Sequence, residues 1–260
     1  VPEHVPVALQ PLPAREAAAP LALRDLANWM RHPARYFLRK RLGVVFERDD
    51  DAPEDSEPFH LAGLERHTVA RQLLDFLPTD WAALPYSAPQ HHLGQALQRL
   101  RRAGLLPLGT PGDHIVAQWG EEWLPPLQTW QGLQRDHAQP GARVQLIRTA
   151  DLQNAINLIA TSAYPASAGV QNDLEPYPLP SLQDWLDGLR CNAAGQAVWM
   201  QLTPSRLLQD AKKRSLRADL MIQPWLCSLA AAASGTELRG LLVARDVWLE
   251  WEPLEPKAAR

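Results

Sequence analysis

The chain has 260 residues, 46% of them hydrophobic, and a formal net charge of −3. That is enough to bury the core of one large domain, or of a domain with a subdomain. Nothing at whole-chain level demands nucleic acid or an anionic membrane, so any such partner must be met by a local basic patch.

No run of residues approaches the length of a membrane span, and the opening VPEHVPVALQPLPAREAAAP lacks the design of a signal peptide. It reads as a Pro/Ala-rich linker over residues 1–20, entered in the middle of a longer protein. Cys191 and Cys227 have no CxxC partner and no histidine cluster, and read as reduced residues of a cytoplasmic protein. The 24 prolines argue for many short elements joined by ordered loops.

Residues 21–42 have helical spacing at Leu23, Leu26, Met30, Phe37 and Leu38, divided at Pro33 and stopped at Gly43. Arg31, Arg35 and Arg39 recur every four residues as one basic stripe. The stripe reads either as a solvated face, or a partner for the acidic run that follows, or as a contact for DNA phosphate or another subunit. Glu47 to Glu57 is strongly acidic but lacks the alternating ligands and central glycine of a calcium loop, and reads as a mobile loop. An amphipathic helix is predicted over 61–77 with Val69, Leu73 and Phe76 inward. A Pro-rich connection over 78–91 and a short helix from His92 to Arg102 follow, the helix ending at Gly104. His91 and His92 have no convincing ligand partner.

Asp113 to Leu124 reads as a helix bearing Trp119 and Trp123, closed by Pro125-Pro126, with a resumed helix at Leu127, Trp130 and Leu133. A strand is predicted over 143–148. Residues 157–181 are Pro-rich, without helical or strand period, and read as an insertion loop or a partner-binding arm carrying Tyr164 and Tyr177. Around Trp185–Leu189 and Ala197–Met200 two apolar strands flank a turn at Asn192–Gly195. Thr203-Pro204-Ser205 then predicts a helix start, and Ser205 to Leu220 a cationic helix carrying Lys212, Lys213, Arg214 and Arg217. This is the strongest basic cluster in the chain, either a solvated face or a DNA contact. A Trp-bearing helix over 219–233, interrupted near Pro224, precedes a hairpin of Arg239–Ala244 and Val247–Trp251 turning at Arg245-Asp246.

An acid on a first strand, a hairpin, a second strand and a helix is a layout found in metal-dependent nucleases. Such a site needs several carboxylates to hold Mg²⁺ and a lysine to support the attacking water. Asp187 supplies one acid, but the end of the second strand offers Gln201 and Thr203 in place of an acid and a lysine.

Several stretches in register resemble the C-terminal domain of the RecC subunit (gamma chain) of exodeoxyribonuclease V. They are LRDLANWMRHPARYFLRKRLGV with its His32–Arg35 tetrapeptide, EPFHLAGLERHTVARQLL, RAGLLPLGTPGDHI, LTPSRLL and QPWLCSLAAAASG, spanning about residues 21–254. The resemblance implies an α/β fold similar to the PD-(D/E)xK nucleases but catalytically degenerate: a mixed central sheet flanked by helices, with a helical N-terminal portion over 21–104 and a nuclease-like core over 105–254, followed by a tail at 255–260. Active relatives place a histidine four residues after the second glycine of the LP-x-G-x-x-G element. Here that position is Val116, and His114 lies about 200° around a helix from it.

The resemblance further implies a non-catalytic module with RecB-like and RecD-like partner subunits. It would touch DNA through the complex and support end processing, duplex splitting and strand guidance in recombinational repair. No cofactor, metal, membrane or small-molecule substrate is expected. Two other readings stand beside it: a purely structural interaction domain, and an active Mg²⁺ nuclease using Asp187 with a displaced acid such as Glu121 or Glu122. The family domain is expected to continue beyond residue 260, so that Trp248 and Trp251 would lie on exposed sheet surface.

Overall fold

The structure, a computed structural model, describes residues 20–44, 60–61, 63–148, 182–210 and 212–255. The readings made for the opening linker through residue 19, the acidic run 47–57, the insertion 157–181 with its two tyrosines, and the tail beyond 255 lie outside these residues.

The centre is a five-stranded mixed sheet in the order β1 (Gln139–Pro140), β4 (Leu189–Cys191), β5 (Ala197–Leu202), β8 (Arg239–Val243), β9 (Trp248–Trp251). Only β5 and β8 run parallel, with Trp199 opposite Gly240 and Gln201 opposite Leu242. Parallel neighbours require a crossover. It is made by the small hairpin β6 (Leu208–Asp210) and β7 (Ser215–Leu216), and by helix α6 (Ala218–Ala233). A separate antiparallel pair joins β2 (Val144–Arg148) to β3 (Leu182–Leu186).

Alternation along β5 sends its side chains to two cores. Met200 and Leu202 pack on the cluster made by α3 (Gly63–Asp75), α4 (Ala88–Arg102) and α5 (Gly109–Asp136), whose fully buried members include Trp81, Trp119, Trp123 and Leu127. Ala197 and Trp199 pack on the cluster shared by α1 (Leu23–Arg31), α6, β2 and β3. Helices therefore flank the sheet on both faces, as the sequence implied.

The break at Pro33 is present: α1 ends at Arg31, and α2 runs from Pro33 to Arg41 with Gly43 beyond it at φ +65°. The first turn of α1 is capped from a distance, because the Asp184 carboxylate on β3 accepts the Leu23 N–H at 2.9 Å. The hinge at His32 (φ −146°, ψ 70°) also divides the arginine stripe, leaving Arg31 on one helix and Arg35 and Arg39 on the other.

Five expectations about the helices are corrected. Phe76 is 37% exposed beneath the Arg99 guanidinium, and Leu77 fills the inward position instead. The fourth helix begins at Ala88, not at His92, because Pro89 occupies a first-turn position where its missing N–H costs nothing.

Pro125 and Pro126 do not close the fifth helix, which runs through them over 28 residues from Gly109 to Asp136. Each interior proline costs about 3 kcal/mol. Keeping Trp119, Trp123, Leu127 and Trp130 on one buried stripe outweighs this, since a buried tryptophan alone removes about 150–250 Å² from water. The same helix pins the 78–87 connection through two buried amides. Gln134 accepts the Trp81 N–H at 2.7 Å, and Gln131 donates to the Leu84 and Pro85 carbonyls at 3.0 and 2.9 Å.

The predicted cationic helix over 205–220 is absent. Thr203 Oγ1 accepts the Ser205 N–H at 3.3 Å in a local turn and caps nothing further. The chain then forms the β6–β7 hairpin, with helix only from Ala218. Asp210 at the end of β6 accepts the N–H groups of Lys212 and Lys213 at 2.8 and 3.2 Å, a side-chain turn that competes with helix. The expected interruption near Pro224 is also absent, since α6 passes through it continuously, whereas the β8–β9 hairpin turns where predicted, with Ala244 donating to the Val247 carbonyl at 2.9 Å.

Two glycines are close-approach sites. A Cβ on Gly112 would meet the Pro107 carbonyl oxygen at 1.9 Å, which accounts for the second glycine of the LP-x-G-x-x-G element. A Cβ on Gly240 would meet the Trp251 indole at 1.9 Å. Trp251 therefore lies on the sheet, donating from Nε1 to Ser228 Oγ at 2.7 Å, while Trp248 is 46% exposed.

Candidate nucleic-acid interface

Three groups of residues were singled out by sequence, and the structure treats them differently. The positions matching a nuclease site fall in different surroundings. Val116 packs against the α3–α5 core, whereas His114 is exposed and lines a neighbouring cleft. Gln201 sits within β5, and the Thr203 backbone continues the parallel ladder by donating to the Val243 carbonyl at 2.9 Å.

Asp187 is not on a strand. It occupies the turn between β3 and β4, where its carboxylate takes both Nε and Nη2 of Arg143, whose guanidinium stacks over Trp185 at 4.8 Å. The cause is a break in an otherwise continuous antiparallel ladder: Val144 opposite Leu186 and Pro140 opposite Arg190 keep one register, and Asp187 and Gly188 (φ +69°) fall in the gap between them. Among the described residues, no three His, Cys, Asp or Glu side chains gather as a metal site.

The basic segments do converge. Arg31 from α1 donates from Nε to the Asp219 carbonyl at 3.0 Å. Arg217, at the N-cap of α6, donates from Nη2 to the Asp219 carboxylate at the same distance. Segments nearly 190 residues apart thus meet at the N-terminal turn of α6. Lys212, Lys213 and Arg214 stand exposed on the adjoining hairpin, Arg214 at φ 51°. Arg35 and Arg39 are exposed on α2, which packs on α1. The carboxylates of Asp219 and Asp210 lie among these cations, and the helix N-terminus adds its own positive end. Such a surface attracts phosphate.

A third cluster was not foreseen. Glu122 on α5, its side chain only 15% exposed, takes Arg66 of α3 at 2.8 Å and Arg206 at 2.9 Å, and lies 3.4 Å from Arg245 of the β8–β9 turn. Burial alone would raise the Glu122 carboxyl. The Arg206 hydrogen bond and the charges of Arg245, Arg66 and Arg206 outweigh it, so the net displacement is downward. Burial likewise lowers the Arg245 guanidinium, opposed by Glu122. Sequence suggested Glu122 only as a displaced catalytic acid. Its actual partners are arginines from three remote elements, and no local pattern announces them.

The structure defines the class as a mixed-sheet α/β domain with helices packed on both faces of the sheet. The sequence matches the model of the RecC C-terminal domain over residues 18–260, and the chain belongs to that family. It is 34% identical over 105 residues to the RecBCD enzyme subunit RecC of Escherichia coli (strain K12). That match spans 40% of this chain and 8% of the relative. Among the described residues, no helix is long and apolar enough to cross a membrane.

Proposed function

We propose that this domain is a non-catalytic, degenerate nuclease-like module of a RecC-type subunit, acting in the cytoplasm within a RecBCD-like assembly. There it supports end processing, duplex splitting and strand guidance during recombinational repair. Its parts are a linker over 1–20, a helical portion over 21–104 and an α/β core over 105–254 with an insertion at 157–181.

The observation that carries the reading is the meeting of Arg31 and Arg217 at Asp219, which puts two basic segments on one surface. Sequence-tolerant phosphate contacts come from Lys212, Lys213, Arg214 and Arg217, joined by Arg31, Arg35 and Arg39. RecB-like and RecD-like subunits would be met by apolar and Arg-containing faces. Trp29, Phe37 and Trp225, each close to half exposed, supply aromatic anchors of that kind. The non-catalytic reading is supported by Val116, Gln201 and Thr203 standing at the positions matched to a histidine, an acid and a lysine, and by the engagement of Asp187 by Arg143.

The test is binding of forked DNA in Mg²⁺ with cleavage followed in the same samples. Salt-sensitive binding without cleavage supports the reading. Cleavage abolished by Asp187→Ala would establish the nuclease alternative, and absence of binding at low salt would leave a pure scaffold.

A further inference from the structure

The Glu122 cluster is a poor design for a merely structural ion pair. Three guanidinium groups surround one carboxylate, with Asp246 adding a weaker negative charge near Arg245. Buried donors also remain unused: Arg245 Nε and Nη1 have no hydrogen-bond partner, the 3.4 Å approach to Glu122 being too poorly aligned for one. Trp123 Nε1, on a fully buried side chain lying 5.6 Å beneath the Arg245 guanidinium, has none either. Buried donors without acceptors are uncommon in folded proteins and call for an explanation. An acceptor-rich anion is the natural complement to this set of donors.

Two features open the cluster to a ligand. Arg206 is 60% exposed and Arg66 31% exposed, so the cluster opens to solvent on the α3–α5 side. Arg66 also lines a cleft of about 530 Å³ with His60, Thr110, His114 and Gln118. That cleft gives a ligand larger than a bare ion somewhere to lie.

We infer that Arg66, Arg206 and Arg245 form a second phosphate site, taking a backbone phosphate of a nucleic-acid strand, with Glu122 orienting the arginines and competing for them. The planar guanidinium fork matches two phosphate oxygens at once. The inference rests on the proposed contact with nucleic acid, but assigns it to different residues. Its distinctive consequence concerns Glu122, because removing a negative charge beside a phosphate site strengthens binding, whereas removing a purely structural carboxylate does not.

The experiment measures binding of a single-stranded oligonucleotide to the 260-residue chain across a salt series, with inorganic phosphate as competitor. Glu122→Gln keeps the shape and an acceptor oxygen, and Arg206→Gln removes the most exposed guanidinium. Lys212→Gln/Lys213→Gln reports on the other surface, and thermal melts confirm that each variant is folded.

Binding several-fold tighter for Glu122→Gln and several-fold weaker for Arg206→Gln, with the salt slope reduced by about one in the latter, supports the site. If the wild type binds and both variants match it in affinity and slope, the inference falls while the reading based on the hairpin stands. If the oligonucleotide does not bind but inorganic phosphate raises the melting temperature through Arg206, the nucleic-acid occupant is overturned along with that reading, leaving a small-anion site. Failure of both probes overturns both.

Discussion

The Asp246 carboxylate lies 3.0 Å from the backbone nitrogen of Leu207 and accepts its hydrogen bond, while its second oxygen takes the Leu208 N–H at the same distance. One side chain in the β8–β9 turn thus fixes the start of the hairpin that carries Lys212, Lys213 and Arg214. Asp246→Ala leaves two backbone donors without this partner, one of them on the buried Leu207. The expected cost is about 1–3 kcal/mol by denaturant unfolding. DNA affinity should weaken as well, since the hairpin is no longer held. A stability unchanged within error would show that the contact does not form.

A second expectation concerns α5. Pro125 lies in the interior of this helix and is exposed, so Pro125→Ala restores an N–H for the Glu121 carbonyl without opening a cavity. The continuous helix predicts stabilisation of about 1–3 kcal/mol and a rise in helical ellipticity. A helix closed at Leu124 predicts neither, so the pair of measurements distinguishes the two arrangements.

The cysteines differ in environment. Burial pushes the Cys227 thiol up to about 11, reinforced by the charge of Asp184, whereas Cys191 is partly exposed on β4. A maleimide or iodoacetamide reagent near pH 8 should modify Cys191 first and reach Cys227 only on unfolding. Equal rates in the native chain would contradict the packing of α6 on the sheet.

Acid sensitivity follows from Glu122. Its folded-state carboxyl lies below the ordinary value of 4.5, so its contribution to stability is fully present above that pH. The contribution is lost as the pH falls through the lower, folded-state value. Glu122→Gln should therefore destabilise the chain at neutral pH and flatten the acid limb of its stability profile. An acid limb parallel to wild type would mean that Glu122 does not titrate against its arginines.

What could be read from sequence was set by distance along the chain. The Asn192–Gly195 turn is local chemistry: Asn192 Oδ1 accepts the N–H groups of Ala194 and Gln196 at 3.0 and 2.9 Å, and the residue types announce it. The same holds for the division at Pro33 and the turn at Arg245-Asp246. Local rules failed where tertiary packing overrode them, as in the passage of α5 through two prolines. They failed again where two local rules competed, as when Asp210 turned a cationic segment into a hairpin. The site was legible as a list of basic residues but not as a surface. Arg31 and Arg217 meet only because α1 packs on α6, and the partners of Glu122 come from separate elements. Asp187 looked like a strand acid because the strand pattern runs on through it, whereas Gly188 at φ +69° breaks the ladder beside it.

The most direct test of the central claim is the salt dependence of forked-DNA binding for the wild-type chain against a variant with Lys212, Lys213, Arg214 and Arg217 all changed to Gln. Each phosphate contact contributes about −0.9 to the slope of log K against log salt. The account predicts a steep wild-type slope, a slope shallower by about two or more in the variant, and no cleavage by either. Equal slopes, or cleavage that depends on Mg²⁺ and Asp187, would contradict it.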